Sequence, residues 1–123
     1  MKFARFVFLG AGIYGLIALL PQYFLKDRIG LDQPPAITHS EYFYGFIGVA
    51  AAFQLIFLVI AGDPVRYRRL MPIAVIEKFS FAIPATILFF GGTLAPQMFA
   101  AGVIDAVLGV LFAAAFIRTK VSE

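Results

Sequence analysis

Residues 71–90 read MPIAVIEKFSFAIPATILFF, an apolar run interrupted by one acid, Glu77, and one base, Lys78. A helix rises 1.5 Å per residue, so a run of this length covers roughly 30 Å, the thickness of a bilayer's hydrocarbon core. The segment therefore predicts a membrane span, and the question it raises is what an acid and a base do there.

Three further runs extend the pattern to spans at about 5–25, 39–61, 71–91 and 96–117. The first follows Lys2 and Arg5 and lacks a small-x-small cleavage pattern near Pro21, which predicts an uncleaved helix. A hydrophilic loop from Lys26 to Ser40 comes next, with Pro34 and Pro35 keeping it extended. Thr38-His-Ser-Glu41 then has the spacing of a capping box that opens the second helix. Gly62-Asp63-Pro64 ends that helix and begins a basic turn, and Gly91-Gly92 ends the third helix, which carries Pro84 in its interior.

Composition agrees with a bilayer solvent. The 123 residues are 62% hydrophobic and 14% charged, with a mean hydropathy of +0.93, whereas a soluble domain is roughly half apolar and a quarter charged. No polar segment is long enough to fold separately, so residues 1–123 form a single integral membrane domain. The absence of cysteine removes thiol redox chemistry, thiolate metal sites, haem thioether attachment and palmitoylation. One histidine, His39, cannot supply both axial ligands of a haem within one chain, which leaves only a symmetric oligomer able to contribute two. No cofactor and no metal site are expected. A net charge of +3 accompanies no basic patch interleaved with exposed aromatics, which argues against nucleic acid.

The basic residues sort by side. Lys2, Arg5, Arg66, Arg68, Arg69, Arg118 and Lys120 flank one face of the membrane, and only Lys26 and Arg28 the other. The excess of Lys and Arg marks the cytoplasmic side, which places both termini there. The fold class is then all-α, a polytopic four-transmembrane-helix bundle. Small residues at helical spacing, namely Ala11, Gly15 and Ala18, then Gly45, Gly48 and Ala52, then Ala101, Asp105, Gly109 and Ala113, predict close helix contacts.

Candidate functional residues are the polar groups at depth. Lys78 enters from the cytoplasmic side roughly 10 Å in and is expected to snorkel to the headgroups. Arg66, Arg68 and Arg69 are expected to anchor the interface, with an anionic lipid or an acidic partner as the alternative. Adjacent helical residues point about 100° apart, so Glu77 is expected to leave Lys78 and to meet Gln54, Tyr14 or a basic residue. Asp105, on the small-residue stripe, is expected to face another helix near Thr86, where Pro84 frees the Ser80 carbonyl. The depths of Glu77 and Asp105, counted from opposite surfaces, differ by about 10 Å, which argues against a direct pair.

Four helices in this length, the acid in "AVIEKFSF" and the small-rich "DAVLGVLFAAAFIRT" together resemble the DoxX-like group of small bacterial membrane proteins. The resemblance implies a multi-pass protein of the bacterial inner membrane in an accessory role beside a redox partner, and it transfers no catalytic residue. Three readings follow. The leading one is a non-catalytic accessory or assembly component of a membrane complex, as an oligomer or heteromer. The others are a small oligomeric proton- or cation-coupled transporter or channel using Glu77 and Asp105, and a membrane enzyme acting on a lipid or quinone near Tyr14, Gln54 and Glu77.

Overall fold

The computed structural model describes residues 2–120. In chain order the helices are α1 (Lys2–Leu19), continued by a 3-10 turn over Leu20–Phe24, then α2 (Lys26–Asp32), α3 (Ser40–Gly62), α4 (Met71–Phe90) and α5 (Pro96–Arg118). A short 3-10 turn over Arg68–Leu70 leads into α4. No strand occurs among the described residues. Four segments, Lys2–Phe24, Ser40–Gly62, Arg68–Phe90 and Pro96–Arg118, are each 23 residues long and apolar enough to cross a membrane.

The helix ends follow local chemistry. Asp63 caps the connection after α3 by accepting a hydrogen bond from the Arg66 amide at 3.2 Å. Proline lies in the first turn of both α4 and α5, where its missing N–H costs nothing. Gly92 adopts φ +80° beyond α4, and the Thr93 amide reaches back to the Leu88 carbonyl at 3.0 Å, closing the helix in the left-handed manner that glycine permits.

Two local expectations are corrected. The hydrophilic segment expected to be a loop contains the α2 helix, supported by an ion pair between Arg28 and Asp32 at i,i+4 and 3.0 Å. Seven residues rich in charge carry no apolar periodicity, which is why the helix is hard to see in the sequence. The capping box at Thr38 does not form: His39 occupies the N-cap without a side-chain cap bond, and Glu41 turns to the His39 ring at 3.0 Å.

Packing is pairwise. α1 lies against α3 and α4 against α5, the pairs join chiefly through α1 and α5, and α3 and α4 scarcely touch. The main core sits at the end carrying both termini, built from Ala4, Phe8 and Ala11 of α1, Phe57, Ile60 and Ala61 of α3, Met71 and Ala74 of α4, and Phe112 and Ala115 of α5. Its centre is three aromatic rings. Phe8 stacks on Phe112 at 4.2 Å and Phe57 meets Phe112 edge-on at 4.9 Å, so three helices share one contact. Toward the opposite end each pair keeps its own small contacts, Leu19 with Ile47 and Ala50 in one pair and Phe89 stacked on Phe99 in the other.

Glycines set the close approaches, although not every predicted stripe is buried. Gly12 and Gly15 lie under Leu58 and Gln54, Gly102 faces Ala85, and Gly109 faces the Phe79 ring. Ala18, Gly45 and Ala52 are exposed instead, and the buried face of α5 is Gly102, Gly109, Phe112 and Ala115. The stripe through Asp105 is therefore only half buried, since the α4 contact selects the neighbouring set. A Cβ at Gly109 would sit 2.6 Å from Phe79, whereas one at Gly10 meets nothing within 4 Å. Gly109→Ala is expected to destabilise the fold by roughly 1–3 kcal/mol through forced repacking, and Gly10→Ala to leave it unchanged or raise stability by up to about 1 kcal/mol. Reversible unfolding in mixed micelles separates the two, and equal losses would contradict this helix contact.

Candidate functional site

Helix α4 buries Met71, Ala74, Lys78, Ala82 and Ala85. Their spacing of three and four residues is that of one helical face, so Lys78 is placed on the packing stripe by the same periodicity that places its alanine neighbours. With alanine on either side, the lysine stem finds room between the helices. The residue is 4% exposed.

The lysine is not an interface anchor. Its Nζ lies 3.5 Å from Asp105 Oδ1 and 3.6 Å from Glu77 Oε2, and 5.1 Å from the centre of the Phe57 ring. An ammonium inside a bilayer protein requires such partners, because no water is there to replace its hydration shell. The expectation of a lysine snorkelling to the headgroups thus gives way to a buried cation between two acids. Glu77 meets it despite the 100° offset between adjacent positions, its Oε2 lying 3.6 Å from the ammonium.

Glu77 and Asp105 are likewise closer than their separate depths imply. Gly102 meets Ala85 and Gly109 meets Phe79, so the antiparallel register brings Asp105 within about one turn of Lys78. The long lysine stem spans the remainder. Depth counted from opposite surfaces cannot include this bridge, which the helix register creates.

The three charges lie at the floor of a cleft of about 780 Å³ between the two helix pairs. Gln54 of α3 is part of the lining and is 2% exposed. Its Nε2 donates to the Ala50 carbonyl at 2.8 Å, which settles the orientation of the amide, and its Oε1 is a buried acceptor without a hydrogen-bond partner. Glu77 Oε2 is likewise buried and accepts no hydrogen bond. Gly15 makes room for the Gln54 amide, whose oxygen occupies the place a side chain there would take. Tyr14 lines the cleft next to Gly15, and Glu41, Tyr42 and Gln22 line it toward the opposite end from the termini. Those last three escaped the sequence reading, since residues in the first turn of a helix or in a turn look like ordinary interface residues.

The remaining predicted residues serve local structure. Thr86 donates to the Ala82 carbonyl of its own helix at 2.8 Å and is absent from the cleft lining, whereas Ser80 lines the cleft and donates to the Glu77 carbonyl at 2.6 Å. Arg68 donates to the Phe116 carbonyl at 3.1 Å and lies over the Phe116 ring at 3.8 Å, tying the α3–α4 connection to the last turn of α5. Arg66 lies over Tyr67 at 5.3 Å, and Arg69 is exposed. Among the described residues, no group of three His, Asp or Glu side chains is arranged to hold a metal ion.

No family model, curated protein or solved structure matches the chain, and its function is to be read from the cleft itself.

Removing one partner of a buried ion pair leaves an uncompensated charge, a loss of about 3–5 kcal/mol. Lys78→Met is expected to destabilise by an amount in that range, and Lys78→Met combined with Glu77→Gln and Asp105→Asn to recover most of it. Unfolding free energies of Lys78→Met, Glu77→Gln, Asp105→Asn and the triple variant in one micelle system test this, and additive losses would show that the three groups do not act as a unit.

Proposed function

We propose that this protein is a non-catalytic accessory component of a membrane complex and that its contribution is to hold an amphiphilic small molecule, a lipid or a quinone-like compound, in the cleft between α3 and α4. The observation that carries the reading is the charged floor, Lys78 with Glu77 and Asp105, beneath apolar walls. Apolar side chains packed into the same space are often as stable as a buried ion pair or more so, which favours a role for the three groups in addition to holding the bundle together.

Three features support a held ligand. The cleft volume of about 780 Å³ falls within the range of small-molecule sites, which pair apolar walls with a few convergent polar groups. The lining residues Phe46, Val49, Ile73 and Ile76 are each about half exposed or more, so the cleft offers open apolar walls to a hydrocarbon tail. The ring cluster of Phe8, Phe57 and Phe112 fills the terminal end of the bundle, which favours holding a molecule over conducting one through a single chain. On the excess of Lys and Arg beside the termini, we place both termini in the cytoplasm, with the cleft opening toward the other leaflet of the bacterial inner membrane.

Gly45 lines the cleft, and a Cβ placed there meets nothing within 4 Å. Gly45→Trp is expected to fill the mouth while leaving helix content and thermal stability unchanged. Native mass spectrometry after mild extraction should find a stoichiometric amphiphile on the wild type and none on this variant. An identical complement on both, or none on either, would sink the reading.

A further inference from the structure

Four lysines occur in the chain, and only one of them lines the cleft. Lys2 and Lys120 are exposed, and Lys26 lies at the opposite end against Ser40 and Asp27. Lys78 is 4% exposed and belongs to the cleft lining between α3 and α4. Its amine is therefore the one amine of the chain that an apolar molecule in the cleft can meet. The surroundings hold a cation there without fixing it. Asp105 Oδ1 and Glu77 Oε2 lie 3.5 and 3.6 Å from Nζ, ion-pair contacts longer than the roughly 2.7–3.2 Å of an N–H···O hydrogen bond. The third neighbour is the Phe57 ring, whose centre is 5.1 Å away and which attracts a cation without accepting a directed bond. Two carboxylates and a ring serve any positive charge at this nitrogen, and none of them requires that the nitrogen keep three hydrogens.

These features suit imine chemistry. A lysine becomes a nucleophile when it is desolvated and a neighbouring base can take its proton. Transfer of one proton from Nζ to Glu77 or Asp105 leaves a neutral amine beside one carboxylate and one carboxylic acid. The amine attacks an aldehyde carbon, the carbonyl π bond breaks, and the oxygen takes up a proton released by the nitrogen, which gives the carbinolamine. The carboxylic acid then protonates the hydroxyl, the C–O bond breaks with loss of water, and the nitrogen lone pair closes the C=N bond. One aldehyde and one ammonium thus yield one iminium and one water, with no change in charge and with no oxidant or reductant. The iminium keeps its positive charge between the same two carboxylates, the role that buried acids play as counter-ions inside membrane helices. Hydrolysis needs water, so a cleft of apolar walls disfavours the reverse reaction.

Resting on the reading of the cleft as a ligand site, we propose that the molecule held there is a long-chain aldehyde, bound covalently as a protonated imine on Lys78. Its alkyl chain runs from the floor along Phe53 and Val49 of α3 and Ile76 of α4, which are apolar residues of the cleft lining. An aldehyde brings no charge of its own to Glu77 and Asp105, whereas a fatty acid would set a third carboxylate against them. An apolar side chain in place of Lys78 and its partners is no less compatible with a stable bundle; a reactive amine is what such a replacement would remove.

The test uses the full chain in phosphatidylcholine nanodiscs, whose lipid contributes no primary amine, with hexadecanal as the probe and cyanoborohydride to reduce the imine to a stable secondary amine. Peptide mapping is expected to find one hexadecyl group per chain on Lys78, at an aldehyde concentration about tenfold below that which modifies Lys2, Lys26 or Lys120. Omitting the reductant should leave no stable adduct. Gly45→Trp, which fills the mouth, should suppress modification of Lys78 and leave that of the other three lysines unchanged, a split within one chain that misfolding would not produce. Lys78→Arg, which keeps the cation and forms no such imine, should lose the low-concentration adduct altogether. Modification of Lys2, Lys26 or Lys120 at the same or a lower concentration than Lys78 overturns the imine, as does a Lys78 adduct that Gly45→Trp leaves undiminished. A diazirine-bearing hexadecanol separates that failure from failure of the cleft. Saturable labelling of Val49 and Ile76 by the alcohol, with no preferred adduct on Lys78, overturns the imine and leaves the ligand cleft standing. Absence of both the Lys78 adduct and saturable labelling overturns both.

Discussion

One ammonium group organises this molecule. Placing the Lys78 charge within a bilayer-spanning bundle requires that its lost hydration be replaced by fixed groups, and the groups at hand come from two helices and a ring: Glu77 beside it on α4, Asp105 on α5, and the face of Phe57 on α3. The interaction therefore does more than settle one side chain. It links the α4–α5 pair to α3 at the level where the bundle changes from a filled core to an open cleft, and it supplies that cleft with its polar floor.

The filled end and the open end depend on each other. Phe8, Phe57 and Phe112 interlock α1, α3 and α5 where the chain begins and ends, and Arg68 fastens the α3–α4 connection to the last turn of α5. With that end held, each helix pair is free to close on itself at the other end through small residues, Gly15 under Gln54 in one pair and Gly102 against Ala85 in the other. The space between the pairs need not collapse, because the exposed apolar flanks of α3 and α4 are as compatible with lipid tails as with each other. A ligand-sized cleft in a chain this small is a consequence of packing two tight pairs instead of four equivalent helices.

Legibility in the sequence was uneven for identifiable reasons. The four long helices were readable because length and hydropathy alone constrain them, and Gly62, Gly91 and Pro96 mark their ends within a residue or two of where the structure has them. The α2 helix was not, since seven charged and apolar residues in no periodic order leave only the Arg28–Asp32 pair as a signal. Glu77, Gln54, Tyr14 and Asp105 were all singled out, and all four line the cleft. Lys78 was misassigned, although a signal existed: Met71, Ala74, Ala82 and Ala85 share its face, and alanine flanking a lysine at three- and four-residue spacing marks a packed position, not a snorkelling one. Thr86 was misassigned because a threonine in a helix satisfies its hydroxyl on its own backbone as readily as on a neighbour.

The sequence by itself determined that this chain is helical, that four of its helices are long and apolar enough to cross a membrane, and which few polar residues lie among them. Hydrophobic length is a property of each segment alone, so no neighbour is needed to read it. Only the tertiary structure decided that Glu77, Lys78 and Asp105 form one group and that this group floors a cleft. Both facts depend on the register of α5 against α4 and on the choice of partners among the helices, and in a bilayer neither follows from hydrophobicity, because lipid and helix surface are equally apolar. The contacts that select them are steric, glycine against alanine and ring against ring, and they are formed between residues far apart in the chain.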